Sequence, residues 1–265
     1  EGLDEVELEL LEEPRVENAK AVLSDFSDEV QFLLVGENHL DSTPKQVLKH
    51  SLEILKSKGF EYLGLEMLNR SAQSEATAYC TGQISDDEFS DVWRENWAYG
   101  AQRQNYLEVV KRACDLGFKL IALDIRDEQN IREPEYDRMD ERNMVMAIEA
   151  FEAAKESKVV ILTGALHAVT KPMVNINSDH YHQMTRTSIV SELSRLYGDV
   201  GIESVLVGSR LMLIDDHRIC LVQSVMGYFK EHGPAAPAAR VIYDSEYFHF
   251  NKVLLQAVPQ KPVDL

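Results

Sequence analysis

The sequence predicts an α/β protein built on a mainly parallel sheet, with helices on both faces of the sheet and one helical insertion. Short, continuous apolar runs recur along the chain, as expected of strands that are buried on both faces. Segments with helical periodicity separate most of these runs, and this alternation is typical of parallel sheets. The 265 residues are enough to bury a substantial core, and we expect one domain over 1–265.

Four strands are predicted in the part of the chain where the alternation is most regular. They are QFLLVG at 31–36, EYLGLE at 61–66, KLIALD at 119–124 and KVVILTG at 158–164. Two later runs, SVLVGSRLMLI and RICLVQSV, have the same apolar character and are also predicted as strands.

Helical patterns occupy the segments between the predicted strands. The first helix begins near Ser42 and Pro44, because proline is favoured in the first helical turn, and Gly59 ends it. Further helices are predicted at about 102–116, 135–156 and 187–197.

Residues 67–100 interrupt the regular alternation and read as short, acidic helices. Together with the helix after them, they predict a helical insertion at about 67–117 that lies over one edge of the sheet. Trp93 and Trp97 lie four residues apart, so on a helix they share one face. Two interpretations stay open for this pair: packing in the core, or a lid that lines the crevice.

The charge balance excludes several classes of partner. The chain has 45 Asp and Glu residues against 27 Lys and Arg, which gives a formal net charge of -18. Such a surface repels phosphate backbones and anionic bilayers, so we expect neither nucleic-acid binding nor docking on membranes. No apolar run approaches the roughly 20 residues that a membrane span needs.

The cysteines and the clustered histidines carry weaker signals. The odd number and wide spacing of Cys80, Cys114 and Cys220 argue against a disulfide framework and against a Cys-x-x-Cys metal site. We therefore expect reduced thiols and a cytoplasmic location. His180 and His182 are two residues apart, a spacing that ordinary loop histidines and a metal site share.

Polar residues come directly after each of the first four predicted strands, at the edge where parallel sheets bind ligands. In chain order, these strands run into Gly36-Glu37-Asn38-His39, Glu66, Asp124 and Gly164-Ala165-Leu166-His167. Any one of these signals is weak, because an aspartate after a strand is often a helix cap. Two Gly-x-x-His elements and a glutamate at equivalent strand ends are more specific. We therefore predict that Glu37, His39, Glu66 and His167 converge as catalytic residues.

The predicted cluster has two imidazoles and two carboxylates, and no serine or cysteine stands at a strand end. This set favours a hydrolase without a covalent intermediate. His39 would take a proton from the attacking water, which Glu37 or Glu66 would orient. His167 would stabilise the oxyanion or protonate the leaving group.

Two further residues are candidates for substrate binding and charge stabilisation. Asp124 ends the third predicted strand. Arg142 lies on the long predicted helix, where it is either exposed on the surface or, if the helix begins near the crevice, turned towards the cluster.

Six motifs occur in the order seen in the ChaN-like, erythromycin-esterase-like and TIKI/TraB superfamily. They are VGENHLD, LGLEM, the TGQISDDEF segment with its later tryptophans and tyrosine, LIALDIR, ERNMVMA and ILTGALHA. They span roughly residues 30–170, and the middle segment is most similar to the ChaN-like branch. The resemblance implies a parallel α/β core with a helical insertion, that is, a ChaN/EreA-like fold.

The superfamily resemblance implies several activities rather than one. Some ChaN-like members bind haem, erythromycin esterases hydrolyse a lactone, and TIKI proteins are metal-dependent peptidases. A related domain of large Vibrio toxins is a metal-independent endopeptidase of Ras and Rap1. Glu37, His39, Glu66 and His167 are similar to the active-site pattern of that toxin domain in order and approximate spacing.

On that comparison we expect a catalytic domain without a cofactor, a metal-independent peptidase that acts on a protein substrate. The toxin domain suggests a small GTPase as the partner, and delivery into a host cytosol if the chain is part of a toxin. Three alternatives stay open: a haem-binding ChaN-like module, an esterase or lactonase of the erythromycin-esterase type, and an enzyme that needs a divalent metal.

Overall fold

The structure is a computed structural model. It describes residues 15–17, 28–97, 102–125, 139–170, 187–198, 201–208, 210–215, 218–224, 239–243 and 252–255. Within these ranges, each helix is too short or too polar to cross a bilayer.

The main sheet has eight strands, and its centre is parallel. The strands of the described chain are β1 Arg15–Glu17, β2 Phe32–Glu37, β3 Phe60–Asn69, β4 Lys119–Asp124, β5 Lys158–Gly164, β6 Ile202–Gly208, β7 Arg210–Asp215, β8 Arg218–Ser224, β9 Ala239–Tyr243 and β10 Lys252–Leu255. Their order across the sheet is β1-β9-β10-β6-β2-β5-β3-β4. Neighbours from β10 to β4 are parallel, whereas β9 and β1 add antiparallel pairs. The remaining two strands, β7 and β8, form a separate antiparallel pair.

Helices cover both faces of this sheet, as predicted. They are α1 Thr43–Ser57, α2 Gln73–Cys80, α3 Asp86–Asn96, α4 Arg103–Asp115, α5 Met139–Ala154 and α6 Ile189–Tyr197. Buried side chains of α1 to α4 join one apolar cluster, and those of α5 and α6 join the other. Short 3-10 turns come after β3 and β5, at Arg70–Ala72 and Ala165–His167.

The unbroken apolar runs of the central strands reflect burial on both faces. In β2, Leu33 and Val35 join the cluster beneath α1, whereas Phe32 and Leu34 join the cluster beneath α5. Side chains alternate between the two faces of a strand. In a strand covered on both sides, every side chain therefore faces the core and apolar residues follow one another. Each fully buried side chain of this size stabilises the fold by about 1.5–3 kcal/mol.

The predicted strand ends are accurate at β4 and β5 but wrong at β3. The strand was expected to end at Glu66, yet it continues to Asn69. Its pairing with β4 shifts register between Leu65 and Asn69. Such an irregularity bends a strand and re-aims its side chains, and periodicity alone does not reveal it. Glu66 therefore lies inside the irregular part of β3 rather than at its end.

The C-terminal strands also differ from the prediction. The run SVLVGSRLMLI contains two strands, of which β6 joins the main sheet and β7 pairs with β8. The short strands β1, β9 and β10 were not predicted, because three to five residues give little periodic signal.

The helical insertion after β3 folds as α2, α3 and α4 on one face of the sheet. A capping box begins α3: the Ser85 side chain accepts from the Glu88 N–H, and the Glu88 carboxylate accepts from the Ser85 N–H. Behind this cap, Phe89 and Trp93 are fully buried. The core interpretation of Trp93 is thus the right one.

A disulfide joins Cys80 at the end of α2 to Cys114 near the end of α4. The expectation of reduced thiols is therefore wrong for this pair. The two cysteines are 34 positions apart in the sequence, but their Cα atoms lie only 4.8 Å apart because α2 and α4 pack side by side. Since disulfides are typical of oxidising compartments, the cysteines no longer support a cytoplasmic location.

Candidate active site

The four residues predicted to converge do come together at the carboxyl ends of β2, β3 and β5. His39 Nδ1 lies 3.0 Å from Glu37 Oε1, and His39 Nε2 lies 3.9 Å from Glu66 Oε2. His167 Nε2 lies 3.2 Å from Glu66 Oε1. The cause is topological, because β2 and β5 are adjacent parallel strands and Glu37 is paired with Gly164.

We call the first group of contacts the Glu37 half of the site: Glu37, His39, Lys45 and Tyr106. Glu37 is buried, and its Oε1 accepts hydrogen bonds from the Tyr106 hydroxyl and from His39 Nδ1. Its other oxygen, Oε2, lies 2.7 Å from Lys45 Nζ. A carboxylate can only accept, so Nδ1 carries a proton and Nε2 keeps the lone pair of the neutral imidazole.

Tyr106 brings the helical insertion into the site. Burial raises the pKa of its phenol, and the negative charges of Glu37 and Glu66 raise it further. The hydroxyl therefore stays protonated and acts as a donor to Glu37. It also lies 3.2 Å from His39 Nδ1.

The ring of His39 is held between an aromatic residue and a strand backbone. The edge of Trp97 meets it, with ring centroids 4.8 Å apart. On the other side, a Cβ on Gly164 would lie 2.8 Å from Nε2, so this position accepts no larger residue without moving the ring. The His39 side chain is 27% exposed, whereas Glu37, Glu66 and His167 are buried. Trp97 is buried in the same core cluster as Trp93, so the core interpretation holds for it too, and its ring also contacts His39.

We call the second group the Glu66 half: Glu66, Asp124, Arg142, Asn143, Thr163 and His167. Oε1 of Glu66 accepts from Arg142 Nη2 at 3.0 Å and faces His167 Nε2. Oε2 accepts from Thr163 Oγ1 at 2.9 Å and from the Gly164 N–H at 2.6 Å. Four donors therefore surround one buried carboxylate.

The charge of Glu66 is stabilised by its surroundings. Burial by itself would raise the pKa of this carboxyl group, but His167, His39 and Arg142 together hold the pKa well below its ordinary value. A carboxylate with so low a proton affinity is a poor general base. Its charge and its acceptors remain available to orient other groups.

Both ring nitrogens of His167 face acceptors. Nδ1 lies 2.5 Å from Asn143 Oδ1, and the Asn143 amide is fixed in this orientation because its Nδ2 donates to the Thr187 carbonyl. Glu66 Oε1 lies on the Nε2 side, so both edges of the ring are fixed by acceptors. The His167 side chain is only 5% exposed, so it lies behind Glu66 rather than at the surface of the site.

Arg142 and Asp124 form the base of the Glu66 half. Nε and Nη2 of Arg142 donate to the two oxygens of Asp124 at 2.8 and 2.9 Å, and Nη2 also donates to Glu66. Arg142 is buried, so the surface interpretation of this residue is wrong. Its guanidinium bridges two carboxylates that would otherwise be buried without a counter-charge.

Four residues of the site were not predicted from the sequence: Lys45, Tyr106, Asn143 and Thr163. Asn143 comes directly after Arg142, and Thr163 precedes Gly164. Both therefore lie within the motifs quoted from the sequence, and their positions are a signal for them. Lys45 is a basic residue in the first turn of a helix, an unfavourable position that is itself a signal. No pattern marked Tyr106. His180 and His182 lie outside the described residues.

A resident metal ion would need several ligands that face one another across a gap. Among the residues that the structure describes, no group of three or more His, Cys, Asp or Glu side chains is arranged to hold a metal ion. The carboxylates of Glu66 and Asp124 already face a guanidinium, so a divalent cation would compete with Arg142 for the same oxygens.

A family model described as haem-binding uptake, Tiki superfamily, ChaN matches residues 25–132. The matched range contains Glu37, His39 and Glu66 and ends before His167. A comparison with curated protein sequences found no significant match.

Several solved structures share the fold. The type III effector HopBA1 has a TM-score of 0.61 at 12% identity, over 92% of this chain and 95% of that chain. ChaN of Campylobacter jejuni, solved with cofacial haem, has a TM-score of 0.52 at 13% identity, over 87% of this chain and 89% of that chain. RRSP, a MARTX toxin effector domain from Vibrio vulnificus CMCP6, has a TM-score of 0.51 at 18% identity. That match covers 85% of this chain and 41% of that chain. At these identities the similarity establishes the fold.

Proposed function

From the similarity of this chain to the Tiki and ChaN superfamily, we propose that it is a hydrolase in which His39 activates water. One observation carries the proposal. His39 is partly exposed and has its Nδ1 proton bound by buried Glu37, which leaves Nε2 as a base beside the Glu66 carboxylate. An imidazole oriented by a carboxylate on its far nitrogen is a recurrent general base in hydrolysis.

The attacking water would lie between His39 and Glu66. Two atoms 3.9 Å apart can both be within hydrogen-bond distance, about 2.8 Å, of a third atom that lies off the line joining them. In this position the water donates one proton towards Nε2 and is oriented by Glu66 Oε2. Glu37 stabilises the imidazolium that forms.

The reaction then proceeds in two steps. The water oxygen attacks the carbonyl carbon of the substrate while its proton passes to His39 Nε2, and a tetrahedral oxyanion forms. When the bond to the leaving group breaks, His39 returns that proton to it. His167 lies behind Glu66, so we assign it and Arg142 the task of balancing the charge of Glu66 rather than touching the substrate.

The substrate that we propose is a peptide bond in a protein. The resemblance to the toxin endopeptidase domain supports it and makes a small GTPase the first substrate to test. Leu40, next to His39, is 66% exposed and offers an apolar contact to an extended chain. The backbone of Leu40 is held at both polar atoms, since its N–H donates to Asn38 and its carbonyl accepts from Gln102.

Mapping of new protein termini in a cell lysate tests the proposal. Lysate is incubated with wild type, with His39→Ala and with His50→Ala, a matched control that replaces an exposed histidine of α1. We expect new termini with wild type and His50→Ala and none with His39→Ala. If the lysate yields none while wild type alone hydrolyses a lactone or aryl ester, the esterase alternative replaces the peptidase.

We propose that the hydrolase needs no metal, because Arg142, Lys45 and His167 supply positive charge at the carboxylates. Elemental analysis of protein purified without chelator, followed by activity assays after dialysis against one, tests this. A stoichiometric metal whose removal abolishes turnover would contradict it.

Haem binding is the second candidate, and the description of the matched family favours it. The exposed imidazole of His39 is the natural axial ligand to consider, but its surroundings do not fit. Nε2 faces the Gly164 backbone and lies 3.9 Å from Glu66, which leaves no space for a porphyrin on that nitrogen. Haemin titration of wild type and His39→Ala decides: a saturable Soret shift that is lost in the variant would restore this candidate.

A further inference from the structure

Lys45 is buried completely, at a place that is unfavourable for a cation. It is the third residue of α1, where the positive end of the helix dipole opposes a positive charge. Desolvation lowers its pKa, and Glu37 and Asp41 offset that effect only in part. An ammonium in such a position needs specific partners to stabilise it.

The hydrogen-bond and ion-pair partners of Lys45 belong to the segment 37–41 that carries His39, and the ring of Tyr106 lies 4.4 Å from Nζ. Nζ lies 2.7 Å from Glu37 Oε2 and donates to the carbonyl oxygens of His39 at 3.1 Å and Asp41 at 2.8 Å. One ammonium thus holds the carboxylate behind His39 Nδ1 as well as the main chain of His39 itself. Lys45 fixes the general base without touching its ring.

The same contact has an electrostatic consequence for the base. A carboxylate beside an imidazole favours the protonated form of the ring. A cation 2.7 Å from that carboxylate opposes protonation of the ring, as like charges do.

The other groups that face the ring do not replace this effect. Tyr106 on α4 is a neutral phenol donor. Glu66 on β3 is a carboxylate 3.9 Å from Nε2, and its charge is matched by Arg142 and His167.

We propose that Lys45 is a positioning residue that acts through Glu37 to keep His39 unprotonated at neutral pH. The inference rests on the proposed function of His39 as a base. It adds a residue that contacts neither substrate nor water.

The first experiment compares pH–rate profiles of wild type, Lys45→Met and Lys49→Met. Methionine has a similar length and no charge, and Lys49 is a matched control on the same helix whose ammonium binds Glu108. We expect Lys45→Met to move the acid limb of the kcat profile to higher pH by about one unit, with kcat falling about tenfold at pH values on that limb, by less than tenfold at pH 7, and with KM nearly unchanged. Lys49→Met should leave both parameters as in wild type. A wild-type profile for Lys45→Met would overturn the proposal.

A second comparison covers the case in which Lys45→Met is too unstable to assay. The double variant Glu37→Gln/Lys45→Met removes both buried charges and is compared with Glu37→Gln alone. Equal residual kcat in the two proteins supports a role through Glu37. A further loss in the double variant overturns it, because Lys45 would then act by another route.

NMR titration of the His39 ring separates this inference from the proposed function, since it needs no substrate. The resonances are assigned with His39→Gln and followed against pH in wild type, Lys45→Met and Lys49→Met. A midpoint that rises by about one pH unit only in Lys45→Met supports the coupling, even if the protein proves not to be a hydrolase. An unchanged midpoint overturns it, even if hydrolysis is confirmed.

Discussion

In the Glu37 half of the site, the ring of His39 is 27% exposed, and among the described residues only the more distant Glu66 carboxylate, at 3.9 Å, faces its Nε2. In the Glu66 half, the other histidine is buried and both of its nitrogens face acceptors. Each half contains a glutamate, a histidine and a basic side chain, and the histidine of each half is the last residue of a Gly-x-x-His element at the end of a strand. A shared motif therefore need not mean a shared role: in the proposed function, one element supplies the base and the other supports Glu66.

The difference arises from the segment that leaves each strand. After β2 a short turn leads to α1, and Lys45 of this helix binds the His39 carbonyl and the Glu37 carboxylate. The ring of His39 therefore stays at the surface of the site. After β5 the chain forms the 3-10 turn Ala165–His167, which brings His167 against Glu66 and Asn143.

The largest expected effect on activity comes from substituting the two histidines in turn. His39→Gln should lower kcat by about 10²–10⁴, the usual contribution of a general base, with a nearly unchanged Tm because the side chain is partly exposed. His167→Gln should instead lower Tm clearly and kcat less, because it removes a buried ring that contacts both Glu66 and Asn143. Steady-state kinetics and thermal unfolding check both. The opposite pattern, in which His39→Gln lowers Tm but leaves kcat unchanged, would contradict the contrast between the two histidines.

The largest expected effect on stability lies in the Glu66 half. Arg142→Met leaves Glu66 and Asp124 buried without their shared counter-charge, so the free energy of unfolding should fall by about 3–5 kcal/mol. Arg70→Met is the control, because Arg70 forms an exposed ion pair with Glu149 on the same helix as Arg142. Its loss should be at most about 1 kcal/mol. Equal losses in urea denaturation would show that the Glu66 half is not a buried charge network.

The central strands and the convergence of the site residues could be predicted from the sequence. The apolar runs of β4 and β5 predicted strands whose ends match those observed, and the run of β2 predicted its strand to within one residue at each end, because burial on both faces leaves a clear pattern. Strand ends in a parallel sheet lie along one edge, so convergence of Glu37, His39, Glu66 and His167 could be predicted from topology.

The side chains that contact those four residues could not be predicted from the hydrophobic pattern. Tyr106 reaches Glu37 from a helix that is 69 residues away, and no periodicity records such a contact. The disulfide between Cys80 and Cys114 depends on how α2 and α4 pack. The contacts that distinguish His39 from His167 are tertiary. For that reason the sequence predicted a catalytic role for both histidines.

Substitution of Gly164 tests whether the position of the His39 ring matters. A Cβ here would lie 2.8 Å from His39 Nε2, while the φ of -57° suits any residue, so Gly164→Ala should move the ring without straining the backbone. We expect kcat to fall about 10- to 100-fold, since displacements of about 1 Å have effects of that size. Gly64→Ala makes an equally close contact, with Leu123 in the core, and should lower Tm rather than kcat. Unchanged kcat in Gly164→Ala would remove the requirement for a fixed ring.

The smallest expected effect is a pH dependence of stability that belongs to the Glu66 half. The pKa of Glu66 is held well below its ordinary value of 4.5, so its charge stabilises the folded state fully at higher pH. That contribution falls as the pH drops from about 4.5 through the lower pKa of the folded state, because the unfolded chain binds the proton first. The stability difference between wild type and Glu66→Gln, measured by urea denaturation, should therefore shrink over this acid range and stay constant above it.

Glu108→Gln is the graded control. A hydrogen bond from Lys49 lowers the pKa of Glu108 too, but this carboxylate is more exposed, so the stability difference for Glu108→Gln should be smaller. A difference for Glu66→Gln that does not vary with pH would mean that its carboxylate gains nothing from Arg142 and His167, and the two halves of the site would then no longer differ in kind.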